Sequence, residues 1–182
     1  VWTMRFKNCE ESFNLQSTEV VARRTNFFLG NDPDKWVRQA PEFANLYYEE
    51  VWPGIDIHFY LQASGELKYD FILSPGADPS AIGMVYDGLE GLSIREDGQL
   101  ELQHPWHPVV EAAPKAWKLA NEAPVQVRYR ISSEDSYGFE VEGEVPRGET
   151  WVIDPILQVW ATFANAFGST VNYAQDVVHD QQ

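Results

Sequence analysis

The stretch "IDIHFYLQASGELKYDFIL", residues 55–73, consists of two β-rich runs around a small polar break. Directly paired residues of an antiparallel hairpin share a face, so residue type fixes the register. A loop at Ala63-Ser64-Gly65 pairs Leu61 with Leu67, Phe59 with Tyr69, Ile57 with Phe71 and Ile55 with Leu73. One face is then fully apolar. The opposite face sets Tyr60 against Lys68 and His58 against Asp70, the pattern of a hairpin with one side on a core and the other solvated.

Outward from this hairpin, "LSIRE", "LELQ", "VQVRYRI", "YGFEVEG" and "TWVID" add short strands separated by Gly, Pro, Asp and Asn, and helix-period runs are scarce. In "IREDGQL" (94–100) a three-residue loop, Glu96 to Gly98, opposes Ile94 to Leu100 and Leu92 to Leu102. It places Gly98 in the left-handed position of a bulged turn. Val1 to Lys7 reads as a strand with Trp2, Met4 and Phe6 on one face. This spacing suggests a sandwich or barrel, and the expectation is all-β: a β-sandwich of mainly antiparallel strands.

At 182 residues the chain is long enough for one domain with a sizeable core. Thirteen Lys and Arg against 28 Asp and Glu give a net charge of −15, which repels a phosphate backbone and argues against nucleic acid as a partner. No apolar run approaches the roughly 18 residues of a membrane span. Cys9 is the single cysteine, so no internal disulfide forms. The chain begins inside a strand without a start methionine and reads as part of a longer protein. Breaks at "SPGADPS" (74–80) and "VIDP" (152–155) suggest a β-sandwich module over 1–157 and the truncated start of a propeller-type repeat over 158–182.

Candidate chemistry is sparse. His58 opposite Asp70 resembles the base and orienter of a hydrolase, but no nucleophile is marked, and a cross-strand charge-assisted pair is the preferred reading. "HPWHP" (104–108) holds His104 and His107, yet Pro105 and Pro108 make it an extended or turn segment without a completed ligand set. Trp36, Trp106 and Trp117 are candidates for a carbohydrate-stacking platform, against the alternative of ordinary sandwich packing. In "GNDPDKW" (30–36) Asp32 and Asp34 alternate as calcium ligands would. Pro33 between them, and the lack of a closing glutamate, favour a capped turn, so metal stays a weak candidate. Asp56 and Asp78, beside Pro-Gly turns, read as turn caps rather than a glycosidase acid pair.

Taken in order, "NFFLGNDPDKW", "YEEVWPGIDIHFY", "GELKYDFILSPGADPSAI", "YDGLEGLSIREDGQLEL", "APKAWKL" and the block from "WVIDP" onward resemble a known module. It is the β-sandwich module of uncharacterised function that precedes SBBP-type β-propeller repeats in large bacterial surface and secreted proteins. Tyr69, Asp70, Phe71, Pro75, Gly76, Ala77, Asp78, Pro79 and Ile82 match its central block. Val152, Ile153, Asp154, Pro155, Leu157, Trp160, Thr162, Gly168, Asp176 and Asp180 match the entry to the first repeat, where "FANAFGST" departs from the family's Gly-Gly turn. The resemblance implies an extracellular or cell-surface location and a propeller C-terminal in the same chain. It brings no catalytic residues. The reading carried forward is a non-enzymatic scaffold or interaction module, in an adhesion setting, whose partners are that propeller and a surface glycan or protein. Cofactors are expected to be none, with calcium left open. The alternatives are a carbohydrate-binding module using its tryptophans and a hydrolase using His58 and Asp70.

Overall fold

The computed structural model describes residues 3–10, 13–28, 30–62, 67–103 and 109–155. Its strands in chain order are β1 (Thr3–Phe6), β2 (Asn14–Phe27), β3 (Val37–Trp52), β4 (Ile55–Leu61), β5 (Leu67–Leu73), β6 (Met84–Asp87), β7 (Gly91–Ile94), β8 (Leu100–Gln103), β9 (Val109–Glu111), β10 (Lys115–Lys118), β11 (Val127–Ser133), β12 (Ser136–Val141) and β13 (Trp151–Asp154). They form a six-stranded sheet in the order β10-β13-β5-β4-β3-β2, a four-stranded sheet β1-β6-β12-β11 and a small sheet β7-β8-β9. All pairings are antiparallel. The architecture is an all-β sandwich.

The β4–β5 hairpin takes the register read from the sequence, from Ile55–Leu73 through Leu61–Leu67, with Tyr60 opposite Lys68 and His58 opposite Asp70. Its apolar face supplies Ile55, Ile57, Phe59, Tyr69, Phe71 and Leu73 to the core. The four-stranded sheet closes over them: Phe71 meets Phe139 edge-on at 5.3 Å, and Phe6 meets Trp52 at 5.8 Å. Aromatic rings fill much of the layer, and edge-to-face packing adds to the free energy of their burial. The second hairpin also forms as read, with Ile94 opposite Leu100 and Leu92 opposite Leu102. Gly98 has φ +82°, and the Arg95 N–H donates to the Gln99 carbonyl at 2.9 Å.

"TWVID" forms a strand as read: β13 lies between β10 and β5, with Trp151 and Ile153 fully buried. Two features depart from the sequence expectation. The outer side of the β4–β5 hairpin is not uniformly solvated, because Lys68 and Asp154 are buried there. And β2 and β3, of 14 and 16 residues, outrun the sheet. Strand β4 accompanies β3 only from Asn45 onward, so residues 19–44 form a two-stranded arm. The proposed second unit over 158–182 lies outside the described residues.

One polar group sits in the middle of the core. Glu111 of β9 is fully buried and surrounded by the hydroxyls of Tyr69, Tyr86, Tyr129 and Tyr137, which come from both large sheets.

Candidate functional site

Strand register assembles the sequence-selected residues on the outer face of the six-stranded sheet. Tyr47, His58 and Asp70 form one row across β3, β4 and β5, and Asn45, Tyr60 and Lys68 form the next. Tyr47 and His58 stack at 4.1 Å with planes 3° apart, and Tyr60 stacks on His58 at 4.8 Å. Held between these rings, His58 directs Nε2 to Asn45 Oδ1 at 2.8 Å. The expected His58–Asp70 charge pair is therefore replaced by a His58–Asn45 hydrogen bond. Partial burial lowers the histidine pKa, so its neutral form, which gains little from a carboxylate, is favoured.

Asp70 instead accepts from the Tyr60 hydroxyl at 3.5 Å. Desolvation, reinforced by the nearby Asp154 charge and opposed by Lys68, pushes its carboxyl up to about 6. Lys68 Nζ donates to Asp154 Oδ2 at 2.9 Å, a buried ion pair joining β5 to β13. The second oxygen of Asp154, Oδ1, is buried without a hydrogen-bond partner.

Chemically, this face offers stacked aromatic rings, an amide and a carboxyl group close to neutrality. It does not offer a triad: among the described residues no Ser, Thr or Cys side chain hydrogen-bonds His58. The thiol of Cys9 donates to the Phe6 carbonyl at 3.8 Å, and burial raises its pKa, the opposite of an activated nucleophile.

The other selected residues are dispersed. Trp117 sits half-buried on β10, opposite Val152 and three strands from His58, and also bridges Pro124. Trp36 lies at the tip of the arm, where its Nε1 donates to the Gly30 carbonyl at 3.1 Å and Phe28 meets it edge-on at 5.1 Å. The Arg38 guanidinium lies over both rings, 5.6 Å from Phe28 and 5.8 Å from Trp36. Trp36 thus closes the tip and does not share a platform with Trp117. Trp106, Gly65, His104 and His107 lie outside the described residues.

The neighbouring turn settles as a cap. Asp32 Oδ1 accepts the Asp34 N–H at 3.2 Å at the start of a 3-10 turn over Pro33–Lys35, and Lys35 pairs with Asp32 at 3.6 Å. Asp34 makes no ligand set with it, and among the described residues no three His, Cys, Asp or Glu side chains converge as a metal site. Asp78 caps its own 3-10 turn by accepting the Ser80 N–H at 2.9 Å, and Asp56 accepts the Glu50 N–H at 2.8 Å beside a bulge in β3.

The arm was not legible as a site. It carries exposed Val20 (58%), Phe28 (55%) and Val37 (42%), and no other sheet of the described residues pairs with it. Arg23, Arg24, Lys35 and Arg38 balance Glu19, Asp32, Asp34 and Glu42, so the arm is neutral and the charge of −15 resides in the remainder. A neutral, partly apolar projection on a strongly acidic body suits contact with another surface better than the body does.

The described residues form an all-β sandwich with a two-stranded ribbon extending from its six-stranded sheet. The chain belongs to the family described as domain of unknown function DUF7948, whose model matches residues 1–156. No curated protein and no solved structure matches it.

Proposed function

We propose that the domain is a non-catalytic scaffold and interaction module of a large bacterial surface or secreted protein, that it presents a C-terminal propeller, and that it serves adhesion. The observation that carries this reading is the arm, whose exposed apolar side chains and balanced charge are suited to a protein surface. The resemblance of the chain's motif order to the module that precedes SBBP repeats supplies the setting. Replacing Val20 and Phe28 by Ser in the whole protein tests it. The reading expects surface attachment, or docking of the C-terminal part, to fall at least tenfold with an unchanged melting temperature. Unchanged attachment and docking would sink it.

A second reading, a carbohydrate-binding module, draws on the Tyr47–His58–Tyr60 stack beside Asn45 and Asp70, an aromatic surface with hydrogen-bonding groups at its margin. It expects a polysaccharide to raise the unfolding temperature, and Tyr60→Ala to abolish that rise. The absence of any rise across a glycan panel counts against it.

A further inference from the structure

The hydrogen-bonding contacts around Glu111 outnumber the protons that its four phenol neighbours can give. Oε1 contacts the Tyr86 hydroxyl at 2.6 Å; Oε2 contacts Tyr69 at 3.4 Å, Tyr129 at 3.3 Å and Tyr137 at 3.4 Å. Each phenol has one proton to donate. Tyr129 has one proton for two acceptors, and the Ala112 carbonyl at 3.0 Å is nearer than Oε2 at 3.3 Å. One of Tyr69 and Tyr137 donates to the other across 3.0 Å. Only Tyr86 and one further phenol then remain to donate to the carboxyl group, and two phenol oxygens crowd Oε2 with lone pairs. A proton on Oε2, donated to one of those oxygens, turns one of these two contacts into a hydrogen bond.

We propose that Glu111 is a proton-operated clasp: protonated, it ties the small β7–β9 sheet to both sheets of the sandwich, and on ionising it loosens that tie. The residues involved span the whole fold, with Tyr69 on β5, Tyr86 on β6, Tyr129 on β11 and Tyr137 on β12. Among the described residues no lysine or arginine acts on Glu111; desolvation, only partly offset by the four tyrosine hydrogen bonds, pushes its carboxyl from 4.5 up to about 7. The folded protein therefore binds a proton that the unfolded chain has released between these two values. The stabilisation is complete below about pH 4.5 and is lost as pH rises to about 7, by about 300-fold in the folding equilibrium constant at tenfold per pKa unit.

Among the described residues two other groups have pKa values shifted in or near this window. Asp70, raised to about 6, acts in the same direction; His58, whose pKa is lowered, acts in the opposite one. The experiment is urea unfolding from pH 5 to 8 in an Asp70→Asn background. The clasp predicts that stability falls with pH, that Glu111→Gln flattens this slope, and that Tyr86→Phe, which removes the shortest bond, moves the midpoint to higher pH. A purely structural loss would lower stability equally at all pH values. Should Glu111→Gln not fold, infrared spectra of the Asp70→Asn protein decide: a protonated carboxyl band persisting at pH 6 and lost by pH 8 supports the clasp. A flat stability profile, an unchanged slope in Glu111→Gln, or no such band overturns it.

Discussion

Between Asn45 and Tyr48, β3 runs between β2 and β4 and packs Leu46 and Tyr48 against the core. Between Val37 and Ala44 the same strand has, among the described residues, only β2 beside it, and Val37 meets solvent. One continuous strand thus serves two environments. In the body its side chains are fixed by layers on the inner face; in the arm it is held by the ladder and by local polar contacts. Arg23 pairs with Glu42 at 2.7 Å, Asn26 accepts the Gln39 N–H at 2.8 Å, and the Phe28–Trp36–Arg38 group closes the tip. Exposed contacts of this kind are worth about 0.2–1 kcal/mol each, and a two-stranded ribbon alone is marginal in water. The difference teaches that the arm's length is not explained by the stability of the body.

Substitutions sharpen this contrast in decreasing order of effect. Phe71→Ala removes a fully buried ring that touches Trp52, Tyr69 and Phe139. It should cost about 3–5 kcal/mol in urea unfolding, a large share of a domain's stability. Lys68→Met leaves Asp154 as an unpaired buried charge and should cost about 3 kcal/mol. Adding Asp154→Leu should recover most of it, because the pair is hard to break singly but replaceable as a unit. Gly98→Val forces a β-branched residue into a left-handed conformation and should cost about 1 kcal/mol or more; a normal melting temperature contradicts the turn geometry. Val20→Ser with Phe28→Ser in the arm should shift stability by about 0.5 kcal/mol or less. An arm double variant that unfolds the domain would erase the distinction between the two regions.

How much was readable from the sequence follows the same division. Both hairpins of the body were registered correctly because each has one buried face, which forces apolar residues to pair with apolar ones. Strand β2 was not read at all: exposed on both faces for most of its length, "STEVVARRTN" shows no alternation to read. His58 was correctly placed opposite Asp70, but its side chain hydrogen-bonds Asn45, since register fixes which residues are opposite and not how neighbouring rings turn a side chain. Lys68 with Asp154 lies 86 residues apart in sequence, and Glu111 meets tyrosines 18 to 42 residues away on two other sheets. Long-range polar contacts of this kind leave no local spacing. The one available signal was a charged residue ending the apolar run "VVE", flanked elsewhere by tyrosines at core positions of their strands.

The direct test of the account is hydrogen exchange of the arm amides, residues 19–27 and 37–44, compared between this chain and the longer, propeller-bearing protein proposed above. The body should exchange slowly in both. The arm should exchange rapidly, by local opening, in this chain and become at least tenfold slower in the longer protein, where its apolar side chains are covered. Arm amides that exchange equally fast in the two proteins, or as slowly as the body in this chain, would contradict the claim that the arm is an unsupported ribbon built for a partner surface.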